Sequence, residues 1–203
     1  MTENKSLSVS CTDGSGAGTS GLGTMVIGSG GTVTLGTYTQ LPGGNLGTDN
    51  IDGVIESLAK NRADCWAVQA PASGTLTAAY VAHGNTSEAT AKVCVYSHDG
   101  DAPDAGDVKL GCSGAVTSSS VEWATSNMDG GAVTTGLNYY MCLFVDDGSA
   151  NTFSVDKSST NTTIYYKTSS GFYDTPGDTL FNASKGWNNY TAPQRSVYVT
   201  ITP

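Results

Sequence analysis

The sequence predicts an all-β fold, a jelly-roll β-sandwich of about eight or nine antiparallel strands with one short helix and an extended N-terminal arm. Only 13% of the 203 residues are charged and 26 are glycine, a composition that favours sheets and turns over solvated helices. Short runs of β-forming residues recur between turn signals. Several of these runs alternate apolar with polar residues, as half-buried strands do.

Residues 1–48 form the predicted N-terminal arm, and residues 49–203 form the predicted sandwich. The arm contains TDGSGAGTSGLG, which has few side chains to bury, and then TMVIGSGGTVTLGTY, in which β-formers surround a Gly-Ser-Gly-Gly turn. A hairpin or short strand pair is therefore expected there. The arm is either a flexible leader or an assembly element whose segments SLSVS and TMVIG add strands to a neighbouring subunit.

The segment NIDGVIESLAKNRA, residues 50–63, is the one predicted helix. Its apolar residues recur at helical spacing, at Ile51, Val54, Ile55 and Leu58. Acidic and amide residues at its start are available as caps.

About nine strands are predicted after this helix. They are CWAVQA, GTLTAAYVAH, ATAKVCVYSH, DVKLGCSGAV, VEWATSN, NYYMCLFVDD, NTFSVD, TTIYYKT and RSVYVTITP. Val93 and Val95 point to one side of their strand while Cys94 and Tyr96 point to the other, so one face is expected to be dry and one wet. NYYMCLFVDD is apolar almost throughout and is expected to be central. Two such sheets stacked on their dry faces make a sandwich, which Greek-key connections close into a jelly roll.

The net charge of −9 at pH 7 argues against nucleic acid and anionic membranes as partners, because both are bound through clustered Lys and Arg. The first residues lack the basic region and apolar stretch of a signal peptide. No run approaches the roughly 18 apolar residues of a membrane span.

Catalytic motifs are not apparent, and the chain is expected not to be an enzyme. The two histidines, His83 and His98, lie near predicted strand ends without a motif that supports catalysis, so structural or exposed roles are favoured. Most aspartates lie in Gly-rich turns, where they bind their own backbone, so the pattern gives little support to a pair of catalytic carboxylates.

The turn HDGDAPDAGD is a candidate Ca²⁺ site. Its carboxylates at short intervals are the hard oxygen ligands that Ca²⁺ accepts, at Asp99, Asp101, Asp104 and Asp107. The turn lacks the EF-hand pattern. A Pro/Gly turn with solvated carboxylates is the favoured alternative.

The segment SGFYDTPGDTLFNASKGWNNYTAPQ is a candidate glycan-binding loop, because sugars stack on aromatic rings while their hydroxyls need directional partners. Its candidate residues are Phe172, Tyr173, Asp174, Trp187, Asn189 and Tyr190. Packing at strand ends is the favoured alternative for these aromatics. Trp66 and Trp123 lie within predicted strands and are expected in the core.

Five cysteines are present, without the spacing of a zinc site, and the odd number leaves at least one unpaired or intermolecular. Cys94 and Cys112 lie on consecutive predicted strands, and antiparallel pairing would bring them opposite each other. A bridge between them would stabilise the fold by about 3 kcal/mol in the loop-entropy model. Free buried thiols are the favoured alternative for a particle assembled in the cytosol.

Five segments carry a resemblance to a known family: APASGTLTAAYV, AKVCVYSHDGDAPDAGDVKLGCSGAV, GLNYYMCLFVDDGSANTFSV, TIYYKTSSGFYDTP and RSVYVTIT. In order and turn chemistry they resemble a jelly-roll domain, often described as carbohydrate-binding-like, of phage virion proteins and bacterial surface proteins. The resemblance covers residues 50–203 approximately. It implies a fold and a place on virions or cell surfaces, and it carries over no catalytic residues.

Together these observations predict a non-enzymatic structural protein of a phage or related virion, a head decoration protein or a short fibre or tail component assembled in the host cytoplasm. Expected partners are copies of itself, most simply in a trimer, and capsid or tail proteins. Two alternatives remain open. One is a glycan-binding module for host attachment through residues 171–193, and the other is an extracellular filament subunit that donates its N-terminal strand.

Overall fold

The structure is a computed structural model that describes residues 24–27, 31–34, 44–82, 89–100, 102–117, 123–146, 153–169, 171–179 and 187–203. The chain divides into two compact units, Met1–Gln40 and Leu41–Pro203. All regular secondary structure in these ranges is β-strand. Within the same ranges there is no helix with the length and apolar character needed to cross a membrane.

The first unit contains β1 (Thr24–Ile27) and β2 (Gly31–Thr34), which pair antiparallel with Thr24 opposite Thr34. The strand pair expected in the arm is therefore present. The segment SLSVS lies outside the described residues, and strand donation from it stays a prediction.

The described part of the second unit contains thirteen antiparallel strands in two sheets. The five-stranded sheet contains β3 (Gly44–Gly47), β6 (Gly74–Ala82), β10 (Trp123–Asn127), β11 (Ala132–Val133) and β15 (Val197–Thr202). Its order is β10-β6-β15-β3, and β11 also pairs with β6. Residues 44–47, expected in the arm, thus form a strand beside β15 and belong to the second unit.

The eight-stranded sheet holds the remaining strands of this unit. They are β4 (Val54–Leu58), β5 (Arg62–Gln69), β7 (Thr90–Ser97), β8 (Lys109–Cys112), β9 (Val116–Thr117), β12 (Asn138–Val145), β13 (Phe153–Thr168) and β14 (Asn188–Arg195). The order is β14-β13-β5-β12-β7-β8, with β4 on β13 and β9 on β7. β12 lies between β5 and β7, as its apolar sequence predicted.

The inner faces of the two sheets share one core, which makes the unit sandwich-like. Leu76, Val197 and Val199 enter it from the five-stranded sheet, while Trp66 and Val93 enter it from the eight-stranded sheet, and all are at most 1% exposed. The strand alternation in RSVYVTITP and AKVCVYSH predicted the inward positions of Val197, Val199 and Val93 correctly.

The predicted helix over residues 50–63 is wrong. Residues 54–58 form β4, which pairs with β13, and Asn61 takes a left-handed backbone conformation (φ 60°) in the turn before β5. Only Leu58 of the apolar set is buried, whereas Val54 is 54% exposed. The apolar spacing of this segment is compatible with a helix, but its β-branched residues fit a strand equally well. Pairing with β13 therefore decides in favour of the strand.

The expectation of one wet face is wrong for the central strands. A second apolar cluster covers the outer face of the eight-stranded sheet, where Cys94, Tyr96 and Tyr140 are at most 1% exposed. Phe172 and Trp187 pack against this cluster. The sheet is therefore buried on both faces at its centre.

The chain passes from one sheet to the other between β14 and β15, at Ser196. Ser196 Oγ lies 2.6 Å from the Asn50 carbonyl oxygen and 3.0 Å from Asp156 Oδ1, two acceptors that share its one hydroxyl proton. The Ser196 backbone N–H donates to the Asp156 carbonyl at 2.9 Å. This buried connection positions β15, which carries part of the candidate site.

Candidate functional site

The outer face of the five-stranded sheet carries three half-buried rings, which we call the aromatic face: Tyr80 on β6, Trp123 on β10 and Tyr198 on β15. Because Val81 and Val199 point into the core, their neighbours Tyr80 and Tyr198 point outward. The two tyrosines are directly opposite and stack with centroids 4.5 Å apart and planes 9° apart. Trp123 meets Tyr198 edge-to-face at 4.9 Å.

A groove of about 490 Å³ lies along the β3 edge of the same sheet. Tyr198 pairs directly with Gly47, one of the groove residues. Asn45, Asp49 and Thr200 supply an amide, a carboxylate and a hydroxyl to the groove, and Asn45 Nδ2 donates to Asp49 Oδ2 at 3.2 Å. Aromatic rings and polar groups thus form one adjoining surface.

Gly47 allows β3 to approach β15 closely beside this surface. Its φ is +108°, and a Cβ at this position would lie 2.4 Å from the Val197 carbonyl oxygen. Any other residue would push β3 away from Tyr198. Burial, followed by electrostatic interactions with Tyr80 and Asp49, raises the pKa of Tyr198. Its protonated hydroxyl can donate a hydrogen bond to a ligand at this surface.

Three of the predicted glycan-binding residues lie in the segment 171–179, which folds over the outer face of the eight-stranded sheet. The Phe172 ring packs edge-to-face on Phe144 with centroids 6.2 Å apart. Lys92 Nζ donates to the Tyr173 carbonyl at 2.9 Å and lies 4.5 Å from its ring centroid. Asp174 is exposed. Two of the three side chains therefore make packing contacts.

The other three predicted residues lie just before β14 or at its start, and they divide between the two faces of the sheet. Trp187 packs on the outer cluster with Phe172. Asn189 is exposed and pairs with Tyr165, while Tyr190 pairs with Ile164. Because alternate residues point to opposite faces, the structure does not bring these side chains to one surface.

Tyr190 belongs to a buried ionic network at the end of the sheet. Arg195 Nη2 lies 2.7 Å from Asp64 Oδ2 and 2.6 Å from Tyr190 Oη, and its Nη1 lies 2.5 Å from Glu56 Oε2. Arg62 Nη2 donates to the same Tyr190 oxygen at 2.8 Å. Each charged group faces an opposite charge, so the network ties β4, β5 and β14 together.

The Asp-rich turn satisfies much of its own backbone. Asp104 N–H donates to Asp107 Oδ2 at 2.9 Å, and Gly106 N–H donates to Asp104 Oδ1 at 2.6 Å. Burial, with further contributions from the charges of Asp99 and Asp104, raises the pKa of Asp107. Asp101 lies outside the described residues. Among the described residues, those of this turn included, no three His, Cys, Asp or Glu side chains are grouped to hold a metal ion, and Ca²⁺ binding stays a prediction.

Two disulfides join the cysteines of the eight-stranded sheet. One joins Cys94 on β7 to Cys112 on β8, the pair for which the sequence suggested a bridge. The other joins Cys65 on β5 to Cys142 on β12, a pair that sequence reasoning missed because 77 positions separate them. The favoured alternative of free thiols at Cys94 and Cys112 does not describe this structure.

His98 lies at the end of β7 and makes structural contacts. Its ring stacks on Tyr140 with centroids 4.3 Å apart, and its Nδ1 accepts a hydrogen bond from Gly100 N–H at 2.8 Å. It lines a groove of about 360 Å³ together with Leu137 and Tyr139. His83 lies outside the described residues, and the expectation of a non-enzymatic protein stays a prediction.

Comparison with known proteins adds no assignment, because no family model and no curated protein matches the chain. The candidate site therefore depends on geometry. Sequence reasoning missed the aromatic face, although strand alternation alone turns Tyr80 and Tyr198 outward. Trp123 lies half-buried on this outer face and not in the core where it was expected, whereas Trp66 is fully buried as expected.

Proposed function

We propose that this chain is a non-enzymatic structural protein on the outer surface of a phage or related virion. The observation that carries the proposal is the pair of buried disulfides across neighbouring strands. Disulfides persist in oxidising surroundings and are rare in cytosolic proteins. A sandwich cross-linked in this way suits a module that works outside the cell. The resemblance to jelly-roll domains of virion proteins links that module to a particle.

The proposed protein is assembled in the host cytoplasm with its thiols reduced, and the disulfides close after release. The Met1–Gln40 unit contacts capsid or tail proteins and neighbouring copies, which stabilises the particle because only the assembled state offers these contacts. The sandwich, connected as a jelly roll, is displayed outward. A head decoration protein or a short fibre or tail component has this division of roles.

Particles purified from the producing culture test the virion proposal. We expect the chain to co-sediment with nuclease-resistant particles, and antibodies against residues 41–203 to label the particle surface in electron micrographs. We also expect Cys65, Cys94, Cys112 and Cys142 to resist alkylation in released particles until reductant is added. Recovery of the chain only as free protein, or only in filaments without nucleic acid, would show that the proposal is wrong.

Glycan binding is a second candidate function, and the aromatic face with its groove favours it. Sugar rings bind proteins through their apolar faces on aromatic side chains and through hydroxyls that need fixed polar partners. Tyr80, Trp123 and Tyr198 supply the aromatic part, and Asn45 and Asp49 supply the polar part. Such a surface on an outward-facing module would attach the particle to a host glycan.

A glycan array probed with the assembled protein tests this second candidate. For any glycan bound by the parent protein, we expect Trp123→Ala to weaken affinity about tenfold, or about 1.4 kcal/mol. Tyr173→Ala is the matched control, because it removes a half-buried ring from the segment 171–179, which covers the other sheet. An array without binding contradicts the candidate. Loss of binding in Tyr173→Ala alone would move the site to the segment 171–179.

A further inference from the structure

Four cysteines lie in one straight row across neighbouring strands, which we call the cysteine row. Cys65 on β5 is opposite Cys142 on β12, Cys142 is opposite Cys94 on β7, and Cys94 is opposite Cys112 on β8. The two outer pairs form the disulfides, with Cα atoms 4.1 and 4.0 Å apart. The middle cysteines are therefore direct neighbours that belong to different disulfides.

The hydrogen-bond pattern of the ladder explains this pairing and permits another. Ser113 N–H donates to the Val93 carbonyl, so Val93 and Ser113 form a hydrogen-bonded pair. The next pair along the ladder, Cys94 and Cys112, is therefore of the type without mutual hydrogen bonds, in which the Cα atoms lie closer together. Pairs alternate across a sheet, so Cys142 and Cys94 form the wider type, with Cα atoms about 5.5 Å apart. That separation is also within the range of disulfides. The row can thus hold a disulfide at its centre.

Access to the row differs along its length. Cys65, Cys94 and Cys142 are fully buried, whereas Cys112 is half-buried on β8, the last strand of the sheet path. Phe172 packs against the outer apolar cluster that contains these three buried cysteines. Cys112 is therefore the member of the row that is most accessible to a thiol from solution.

We propose that Cys112 is a site of S-thiolation by low-molecular-weight thiols, and that attack there moves a disulfide inward along the cysteine row. The small thiolate bonds to Cys112 Sγ and breaks its bond to Cys94, which leaves as a thiolate. Cys94 then attacks Cys142 Sγ, forms the central disulfide and displaces Cys65. The Cys65 thiolate takes up the proton that the small thiol released. Two disulfides and one thiol react and two disulfides and one thiol result, so no oxidant is needed.

The geometry of the row supports the second step. The attacking, central and leaving sulfurs come from successive positions of one row, Cys94, Cys142 and Cys65, which approximates the in-line arrangement of displacement at sulfur. The exchange would replace the link between β5 and β12 with one between β12 and β7. A thiol would then appear in the interior beside Tyr165, the partner of Cys65 across β13.

Peptide mapping tests the proposal on the oxidised full-length chain. The protein is treated with reduced glutathione, quenched in acid, alkylated and digested without reductant. We expect glutathione on Cys112, a peptide pair linked through Cys94 and Cys142, and alkylation of Cys65. A chain that carries glutathione on Cys112 with the link between Cys65 and Cys142 intact overturns the proposal, as does a chain that does not react.

A pair of variants tests the exchange without added thiol, both in a Cys11→Ser background that removes the fifth cysteine. Cys65→Ser leaves Cys142 free to attack Cys94 and so release Cys112. Cys142→Ser loses the same disulfide but leaves Cys65 without a neighbouring sulfur. We expect a polar maleimide to label Cys112 at least tenfold faster in the first variant, and equal labelling overturns the proposal. Both variants lose the same cross-link, so any general loosening of the fold affects them alike.

Discussion

Two buried carboxylates of this protein differ in whether the fold supplies a counter-charge. Asp64 and Arg195 are both fully buried and lie 2.7 Å apart, so each charge is compensated. Asp107 is also fully buried, its Oδ1 has no hydrogen-bond partner among the described residues, and the charges of Asp99 and Asp104 act on it with the same sign as its own. Burial of an uncompensated charge favours the protonated form. The same residue type therefore stabilises one site and destabilises the other.

Asp107→Asn should stabilise the protein at neutral pH. The amide oxygen can still accept from Asp104 N–H, and the new amide hydrogens can donate to the neighbouring carboxylates. We expect a gain on the order of 1 kcal/mol, seen as a rise in Tm of about 2–4 °C by differential scanning calorimetry. Asp174→Asn is the control, because it changes the net charge equally at an exposed position.

The pH dependence of this effect has a defined sign. The pKa of Asp107 is raised in the folded state, so the folded chain binds the proton more tightly and becomes more stable as pH falls through that pKa. The advantage of Asp107→Asn should therefore shrink as the pH falls from neutral towards 4. An advantage that is constant with pH would show that the Asp107 charge is not its source.

Glu56→Gln should have the opposite dependence on pH. Burial opposes ionisation of Glu56, but hydrogen bonds and charges from Arg195 and Lys157 outweigh it and hold the pKa of Glu56 below its ordinary value. Its contribution is present above pH 4.5 and is lost as pH falls through the lowered folded pKa. We expect a loss of about 1–2 kcal/mol near pH 7 in urea unfolding, reduced because the side chain is partly exposed. A loss that does not decrease at all as the pH is lowered below 4.5 through the acid range would contradict the charge argument.

At the scale of strands, alternation predicted those elements whose two faces differ clearly in chemistry. The sequence RSVYVTITP predicts a strand without reference to its partners, because Val197, Val199 and Ile201 alternate and can be buried together only on one side of a strand. The segment 50–63 has no alternation of this kind. Its apolar spacing satisfied a helix, and the partner that makes it a strand, β13, lies about a hundred residues away. Long-range pairing of this kind is not visible in local sequence.

In the candidate site, too, local sequence predicted single residues but not the surface that residues from distant strands form together. Aromatic density in SGFYDTPGDTLFNASKGWNNYTAPQ indicated a binding loop, but Phe172 and Trp187 cover a sheet face whose burial the sequence does not reveal. The aromatic face, in contrast, joins Tyr80, Trp123 and Tyr198 from three strands that only the sheet order brings together. Single outward residues were predictable, whereas their convergence was not.

Phe172→Ala tests the covering role of the segment 171–179. Removal of the ring exposes Phe144 and the outer apolar cluster, and the partly buried position predicts a loss of about 2–3 kcal/mol, below the full range for buried aromatics. The variant should also lose its disulfides faster in dithiothreitol, as measured by alkylation over time. Tyr173→Ala serves as control, because the Lys92 contact at that position involves the carbonyl oxygen as well as the ring. Equal effects of the two variants would contradict a specific covering role for Phe172.

At the scale of the whole molecule, the described part of the sandwich-like unit depends largely on contacts between residues far apart in sequence. β12 pairs with β5 and β7 in one sheet, and β15 pairs with β3 and β6 in the other. Such a topology loses much conformational entropy on folding before its contacts form. Cross-links that shorten the unfolded chain are therefore effective here. One disulfide joins cysteines that are 77 positions apart in the sequence, and the other joins cysteines that are 18 positions apart.

The two disulfides should contribute unequally to stability. In the loop-entropy model the stabilisation grows with the logarithm of the loop, so loss of the longer cross-link should cost about 1 kcal/mol more than loss of the shorter one. We expect Cys65→Ala with Cys142→Ala to lower the free energy of unfolding more than Cys94→Ala with Cys112→Ala in guanidinium titrations. Cys65 and Cys142 are both fully buried, whereas of the other pair Cys94 is fully buried and Cys112 half-buried, so the cavity term adds to the expected difference in the same direction. The reverse order would mean that packing at β8, and not restriction of the unfolded chain, governs what the cross-links contribute.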